Sequence, residues 1–232
     1  MPRSSLLTRF LVVIAALTAT CCSFAQMIPL QPGVAGGTLK IEDLSKSVME
    51  RFASNRQLTP EATVADLLTQ EDIFIYFKRK ESDGTLSFFT NSADIKSGTY
   101  EVTFQWVRYE PIYVEGRTIY YGVGATFSGS VSVKKASLLA QLGELIFGAS
   151  SKSVTGSIKA SRMGIVGPPV ENIISPTSGE EELTEKTITT YMLNFAKVLA
   201  LVRANGVILA PRILFTDQKT ATELGVKVKP QQ

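Results

Sequence analysis

The stretch RTIYYGVGATFSGSVSV, residues Arg117 to Val133, carries the clearest pattern in the chain. Apolar side chains occupy alternate positions over most of it, and small polar side chains stand between them. The apolar set is Tyr121, Val123, Ala125, Phe127, Val131 and Val133, and the polar set is Thr126, Ser128, Ser130 and Ser132. Because successive side chains of a β-strand point to opposite faces, this alternation predicts a long strand with one apolar and one polar face.

A second strand, with a similar Ser/Gly/Val pattern, is predicted over residues 153–166. Between the two strands, helical spacing is kept by Leu138, Leu142, Leu145 and Ile146. A helix of about 12 residues spans about 18 Å, whereas a strand of about 14 residues spans about 46 Å. That helix is too short to carry the chain back for a parallel pairing, so the two strands are expected to be antiparallel.

The rest of the chain divides into sheet in the middle and helices toward the two ends. Strand alternation recurs over residues 73–90, where a turn is included, and over residues 99–107. Helical spacing runs from Ile41 to Phe52, appears again just after Pro60, and then extends from a cap at Thr184 to Asn205. The predicted fold class is α+β, mainly antiparallel sheet with a long C-terminal helix and short N-terminal helices.

The first 25 residues have the order of a secretory signal peptide. Arg3 and Arg9 give a positive start, residues 10–17 are apolar, and Ser23-Phe24-Ala25 is a small-x-small exit. We therefore expect export across a membrane with cleavage just before Gln26. The expected destination is the periplasm or the medium, and association with an outer membrane is compatible with the same signal.

One folded domain is predicted behind this signal peptide. Residues 26–37 are rich in Pro and Gly, which disfavours regular structure and predicts a flexible leader. A single α+β domain is expected over residues 38–216, because about 200 residues suffice for one well-buried core. Residues 217–232 are predicted to be a polar tail.

The available side chains exclude most catalytic and metal-binding chemistry. The chain has no histidine, and its two cysteines, Cys21 and Cys22, lie in the predicted signal peptide. The usual zinc sites, Ser-His-Asp triads and Cys-His dyads are therefore excluded, and no catalytic residue, cofactor or metal is predicted. A Ser-x-x-Lys match remains at residues 132–135, but Ser132 ends a predicted strand instead of opening a helix. Gly122 and Gly124 lie inside a strand, which indicates close backbone approach or a bulge rather than a nucleotide-binding loop.

The charge balance does not favour binding to nucleic acid. The chain has 24 basic and 21 acidic residues, a formal charge of +3. A nucleic-acid-binding protein normally shows a basic stripe or an excess of positive charge across the domain. Here the basic residues cluster only at Lys78-Arg79-Lys80, which is expected to be a solvated strand end, so no nucleic-acid partner is predicted.

Four aromatic residues are the candidate surface site, namely Trp106, Tyr109, Tyr113 and Tyr120. Together they would form a stacking platform for a sugar or a peptide. Packing between neighbouring strands in the interior of a sheet explains the same residues, so both interpretations stay open.

The segment from Tyr121 to Gly167 resembles uncharacterised secreted bacterial proteins. The resemblance lies in the strand GVGATFSGSVSV, the helix ending in LGELIFGAS, and the strand VTGSIKASRMGIVG. It implies an envelope protein, and it transfers no activity and no site residues.

Two functions of different classes follow from these observations. The first is an exported, non-enzymatic protein that binds a protein partner or an envelope component. The second is a membrane-associated or pore-forming protein that uses residues 120–133 and 153–166, because strands of about ten residues that alternate apolar with Ser or Thr can enter a bilayer. A soluble sheet with one wet face predicts the same alternation, and peripheral membrane contact is compatible with either function. No oligomeric state is predicted.

Overall fold

Two 17-residue strands, Gly98–Val114 and Arg117–Val133, form the hairpin at the centre of the fold. They pair antiparallel along their whole length. Glu115 and Gly116 make the turn between them, with φ of 50° and 77°. Positive φ at both central positions is the geometry of a type I′ turn, whose twist matches that of the flanking strands.

The structure is a computed structural model that describes residues 28–30, 39–54, 63–83, 86–89, 98–133, 155–175 and 179–227. The strands are β1 (Ile28–Pro29), β2 (Gln70–Lys80), β3 (Leu86–Phe89), β4 (Gly98–Val114), β5 (Arg117–Val133), β6 (Thr155–Met163), β7 (Ile165–Val166), β8 (Glu181–Glu182), β9 (Ile208–Leu209) and β10 (Arg212–Thr216). The helices are α1 (Ile41–Ser54), α2 (Val64–Leu67), α3 (Pro168–Glu171), α4 (Glu185–Arg203) and α5 (Gln218–Glu223).

Eight of the described strands belong to one antiparallel sheet. Six of them follow the order β1-β10-β5-β4-β2-β3, while β6 pairs with β5 and β8 pairs with β6. One edge of β5 pairs with β4, and its other edge pairs first with β10 and then with β6. The predicted antiparallel pairing of β5 with β6 is confirmed, as is the predicted hairpin of β2 and β3.

Two helices cover one face of this sheet, which we call the helix face. The apolar side chains predicted for β5, such as Ala125 and Phe127, point to this face and pack with Val198 and Val202 of α4. At the other end of the hairpin, α1 packs on the sheet through its own buried residues, including Val48. The helical spacing predicted from Ile41 to Phe52 is confirmed by α1, because its buried residues line the side turned to the sheet.

The opposite face of the sheet, which we call the inner face, curls upon itself. Phe74 of β2 and Phe215 of β10 contact each other there, with ring centroids 5.0 Å apart. Two strands separate β2 from β10, so a flat sheet would place them about 14 Å apart at roughly 4.8 Å per strand. Close packing of Tyr109 against Gly122 permits the curvature, because a Cβ on Gly122 would lie 2.7 Å from Tyr109 Cα. The predicted close approach at this glycine is confirmed.

The predicted fold class is wrong in its helices. The described part of the chain is mainly antiparallel sheet with helices of modest length, and the longest of them does not stand at its C-terminal end. The 19-residue helix α4 begins at the predicted Thr184 cap, but β9, β10 and the six-residue α5 follow it. The physical reason is that the chain turns at Asn205, where φ is 53°, and returns to pair with β5. At the other end, the predicted short N-terminal helices are present as α1, with 14 residues, and α2, with 4 residues.

Two segments predicted to be irregular contribute to the packed structure. In the predicted leader, Ile28 and Pro29 pair with β10. In the predicted polar tail, Asp217 caps α5, and Ala221 and Leu224 are buried. Burial of these few apolar side chains at the sheet end explains the difference, since the polar residues between them dominate the sequence pattern. The predicted signal peptide and the helical spacing at residues 138–146 lie outside the described residues.

Candidate functional site

One end of the inner face is closed by aromatic side chains. Phe74, Tyr109, Tyr120 and Phe215 contact one another in a closed cycle, with centroid distances of 5.0 to 6.4 Å. The hydroxyl of Tyr109 donates a 2.8 Å hydrogen bond to Asp72 Oδ2. Burial and this carboxylate raise the pKa of Tyr109, so the phenol stays neutral over the ordinary pH range. This end is structural core rather than a ligand site.

A layer of hydrogen-bonded polar side chains follows along the inner face. The hydroxyl of Tyr76 donates to Gln105 Oε1 at 3.1 Å, and Gln105 Nε2 lies 3.9 Å from Met163 Sδ. On the neighbouring strands, the hydroxyls of Thr126 and Ser161 are 2.8 Å apart. Gln105 is only 2% exposed, and a buried amide is costly unless it is hydrogen-bonded. These contacts fix the strands that carry the next layer.

The other end of the inner face is open and polar, and it contains a cavity of about 200 Å³. Its walls come from three adjacent strands and from the segment that precedes β8. The lining residues are Glu101, Ser128, Gly129, Ser130, Ser157, Lys159 and Glu180. In the sheet register Ser128 lies opposite Lys159 and Ser130 lies opposite Ser157, so pairing of β5 with β6 sets their spacing. We call this group of residues the polar cavity.

Charged side chains of both signs line the polar cavity, and they differ in whether they already have a partner within the protein. Glu101 is paired with Lys78, whose Nζ lies 2.8 Å from Glu101 Oε2. Glu180 accepts a 2.8 Å hydrogen bond from the hydroxyl of Ser157. Lys159 is exposed, and no ion pair joins it to a carboxylate among the residues that the structure describes. The cavity therefore offers an ammonium, a carboxylate and three hydroxyls to a ligand.

This arrangement is suited to binding by hydrogen bonds and charge. Within the described ranges, no group of three or more acidic, cysteine or histidine side chains is placed to hold a metal ion. The hydroxyls and the ammonium of Lys159 lie at fixed register on strands, where they are positioned more precisely than they would be on loops. The geometry supports recognition of a small polar molecule.

The four predicted aromatic site residues do not form one platform. Trp106 is 1% exposed and lies in the core under α4, on the helix face. Tyr109 and Tyr120 belong to the aromatic cycle of the inner face. Tyr113, at 69% exposed, lies near the turn of the central hairpin. The alternation of β4 separates them, since Trp106 and Tyr109 are an odd number of residues apart and point to opposite faces.

The structure describes part of the Ser-x-x-Lys match and both strands of the membrane-inserting alternative. Ser132 lies near the end of β5, with its hydroxyl 3.2 Å from that of Thr99, while Lys135 lies outside the described residues. The strands proposed to enter a membrane, β5 and β6, direct their apolar side chains to the helix face, where α4 packs on them. Among the helices described, none has the length and apolar character needed to span a membrane.

Sequence reasoning identified only part of the polar cavity. Ser128 and Ser130 were in the polar set of β5, but their neighbours on other strands were not recognised as partners. The available signal was the alternation of β6, which places Ser157 and Lys159 on one face. Glu180 carries no such signal, because a loop brings it to the sheet edge.

The resemblance of residues 121–167 to secreted bacterial proteins stays a prediction. In that segment the two strands, β5 and β6, are present and paired. The segment between them, residues 134–154, lies outside the described residues. No protein family model matches the chain, and neither do the curated proteins and solved structures with which it was compared.

Proposed function

We propose that this chain is an exported, non-enzymatic protein of the cell envelope or the medium that binds a small polar ligand or envelope component. The proposed binding site is the polar cavity at the open end of the inner face. The signal-peptide pattern of residues 1–25 supports export, with the periplasm or the medium as the destination.

The observation that carries the proposal is the contrast between the two ends of the inner face. Four aromatic rings fill the closed end, whereas hydroxyls and charged groups surround an open cavity at the other end. If this region served only to stabilise the fold, we would expect aliphatic side chains to fill the cavity, because protein interiors are close-packed. In small-molecule sites a few precisely placed polar groups fix the orientation of the ligand, and this cavity supplies such groups from adjacent strands.

The side chains at the cavity favour binding over catalysis. A serine nucleophile is usually activated by a histidine base, whereas the hydroxyl of Ser157 has the carboxylate of Glu180 as its hydrogen-bond partner. The chain has no histidine to take that role. A membrane-inserting function would require α4 to leave the helix face, and burial of Val198 and Val202 there opposes that change.

Export is tested by fractionating cells that produce the tagged full-length chain and measuring the intact mass of the product. The proposal expects soluble protein in the periplasm or medium, with a mass that begins at Gln26. Retention of the uncleaved chain in the cytoplasm would contradict it.

Binding is tested by thermal-shift screening of small polar metabolites against the wild type and two matched variants. Ser130→Tyr places a large ring in the cavity, whereas Ser132→Tyr makes the same change on the same face of β5, outside the cavity lining. We expect compounds that raise the Tm of wild type and of Ser132→Tyr but not of Ser130→Tyr. Equal shifts in all three proteins would place the binding site elsewhere.

A further inference from the structure

We infer that the ligand of the polar cavity is a small zwitterion, such as a free amino acid, held by its carboxylate at Lys159 and by its ammonium at Glu180. This inference rests on the proposed function and specifies the ligand class. It follows from the signs of the charges that line the cavity and from the cavity volume. It also follows from whether each charged side chain already has an ion-pair or hydrogen-bond partner.

An anion or a cation alone fits the cavity poorly. Glu180 lines it without an ion-pair partner among the described residues, so a bound anion would lie near an unbalanced carboxylate. A bound cation would lie near the ammonium of Lys159, and Glu101 is already neutralised by Lys78. Like charges in a partly desolvated site repel, which lowers the affinity for either type of ion.

A neutral polyol also satisfies these groups incompletely. Its hydroxyls would match those of Ser128, Ser130 and Ser157, but it would cover Lys159 and Glu180 without compensating either charge. Covering a charge without an opposite partner costs free energy. Sugar sites usually add an aromatic ring for stacking, and none of the residues that line this cavity is aromatic.

A zwitterion satisfies both charges at once. Lys159 has no ion-pair partner among the described residues, so its ammonium is available to a ligand carboxylate. The register places Ser128 opposite Lys159, where its hydroxyl would donate to the same carboxylate. Glu180 lies just before β8, at the edge of β6, where it already accepts a hydrogen bond from Ser157, and it would accept another from the ligand ammonium.

The volume limits the ligand to a small molecule. About 200 Å³ is below the roughly 300–1,000 Å³ of sites for drug-sized ligands. An amino acid with a short side chain is of this size, whereas an oligosaccharide or a nucleotide is not.

The test is an NMR titration of the ¹⁵N-labelled chain with four small probes that differ only in charge pattern or class. Alanine is the zwitterion, N-acetylalanine keeps only the carboxylate, alaninamide keeps only the ammonium, and glucose is neutral. We expect alanine to shift the amide signals of residues 128–130 and 157–159, and to bind at least ten-fold more tightly than the other three probes.

Two variants test whether Lys159 and Glu180 bind the two charged groups of the ligand, and each has a matched control. Lys159→Met and Glu180→Gln should each weaken alanine binding ten-fold or more. Lys219→Met and Glu182→Gln make the same changes at exposed positions outside the cavity lining and should leave it unchanged. Preserved binding in the two cavity variants would overturn the inference.

The probes also separate failure of the inference from failure of the proposed function. If glucose or a singly charged probe shifts the cavity signals more strongly than alanine, the cavity binds polar ligands but the zwitterion assignment is wrong. If none of the four probes shifts these signals, the inference is overturned, and the metabolite screen then decides the proposed function by itself.

Discussion

Phe74 and Phe215 stand edge to face on the inner face, with ring centroids 5.0 Å apart and planes inclined by 66°. Their strands, β2 and β10, are separated by β4 and β5 in the sheet. The contact therefore closes one end of the curled sheet by side chains alone. It leaves the polar cavity at the other end as the accessible part of this face.

The first prediction concerns this closure. Phe215→Ala removes a ring that is 2% exposed, and we expect a loss of about 3–5 kcal/mol in the free energy of unfolding because of the cavity left behind. Urea denaturation followed by circular dichroism measures it. Tyr113→Ala, a change of similar size at an exposed position, should cost about 0.5 kcal/mol or less. Equal losses would show that Phe215 does not hold the curl.

The second prediction concerns the close approach of β4 and β5. A Cβ on Gly122 would lie 2.7 Å from Tyr109 Cα, so Gly122→Ala forces backbone to move. We expect destabilisation of about 1–3 kcal/mol, the usual cost of overpacking. Gly179→Ala is the matched control, because nothing lies within 4 Å of a Cβ there. A Gly122→Ala variant as stable as this control would contradict the packing.

The third prediction tests the start of α4. The hydroxyl of Thr184 accepts a 3.1 Å hydrogen bond from the amide of Thr187. Thr184→Ala should therefore reduce stability by about 1 kcal/mol, the typical loss for an N-cap. Thr189→Ala removes an exposed threonine within the same helix and should not reduce stability, since alanine is the better helix former. The comparison is made from Tm values of the two variants.

The fourth prediction concerns alkaline pH. The folded state raises the pKa of Tyr109 above its unfolded value near 10, so the folded protein binds more protons in alkali than the unfolded chain does. Stability from this group is complete below about pH 10 and falls as the pH rises above it. Tyr109→Phe should make the alkaline loss of stability shallower above about pH 10. Urea denaturation at a series of pH values measures the slope, and an unchanged slope in this variant would contradict the prediction.

The helices and strands that the sequence predicted correctly are those in which apolar residues recur at a regular spacing within a short segment. The alternation of Arg117 to Val133 placed β5 and correctly assigned Phe127 to one face and Ser128 to the other. Helical spacing placed α1, and the cap at Thr184 placed the start of α4. These features depend on residues that lie a few positions apart, so one sequence is enough to show them.

Long-range geometry could not be predicted in the same way. The contact of Phe74 with Phe215 depends on sheet curvature, which joins residues far apart in the chain. Trp106 looked like a surface candidate because aromatic residues are common at binding sites and in cores alike. The polar cavity was missed because three strands and a loop assemble it, and Glu180 joins it from the loop.

The most direct test of the binding site is to map which amide signals respond when the ¹⁵N-labelled chain is mixed with the small-molecule fraction of the cells that export it. If the ligand binds in the polar cavity, we expect shifts confined to residues 101, 128–130, 157–159 and 180. These shifts should be lost in Ser130→Tyr but not in Ser132→Tyr. Shifts centred on the helix face around α4, or the same shifts in both variants, would contradict it.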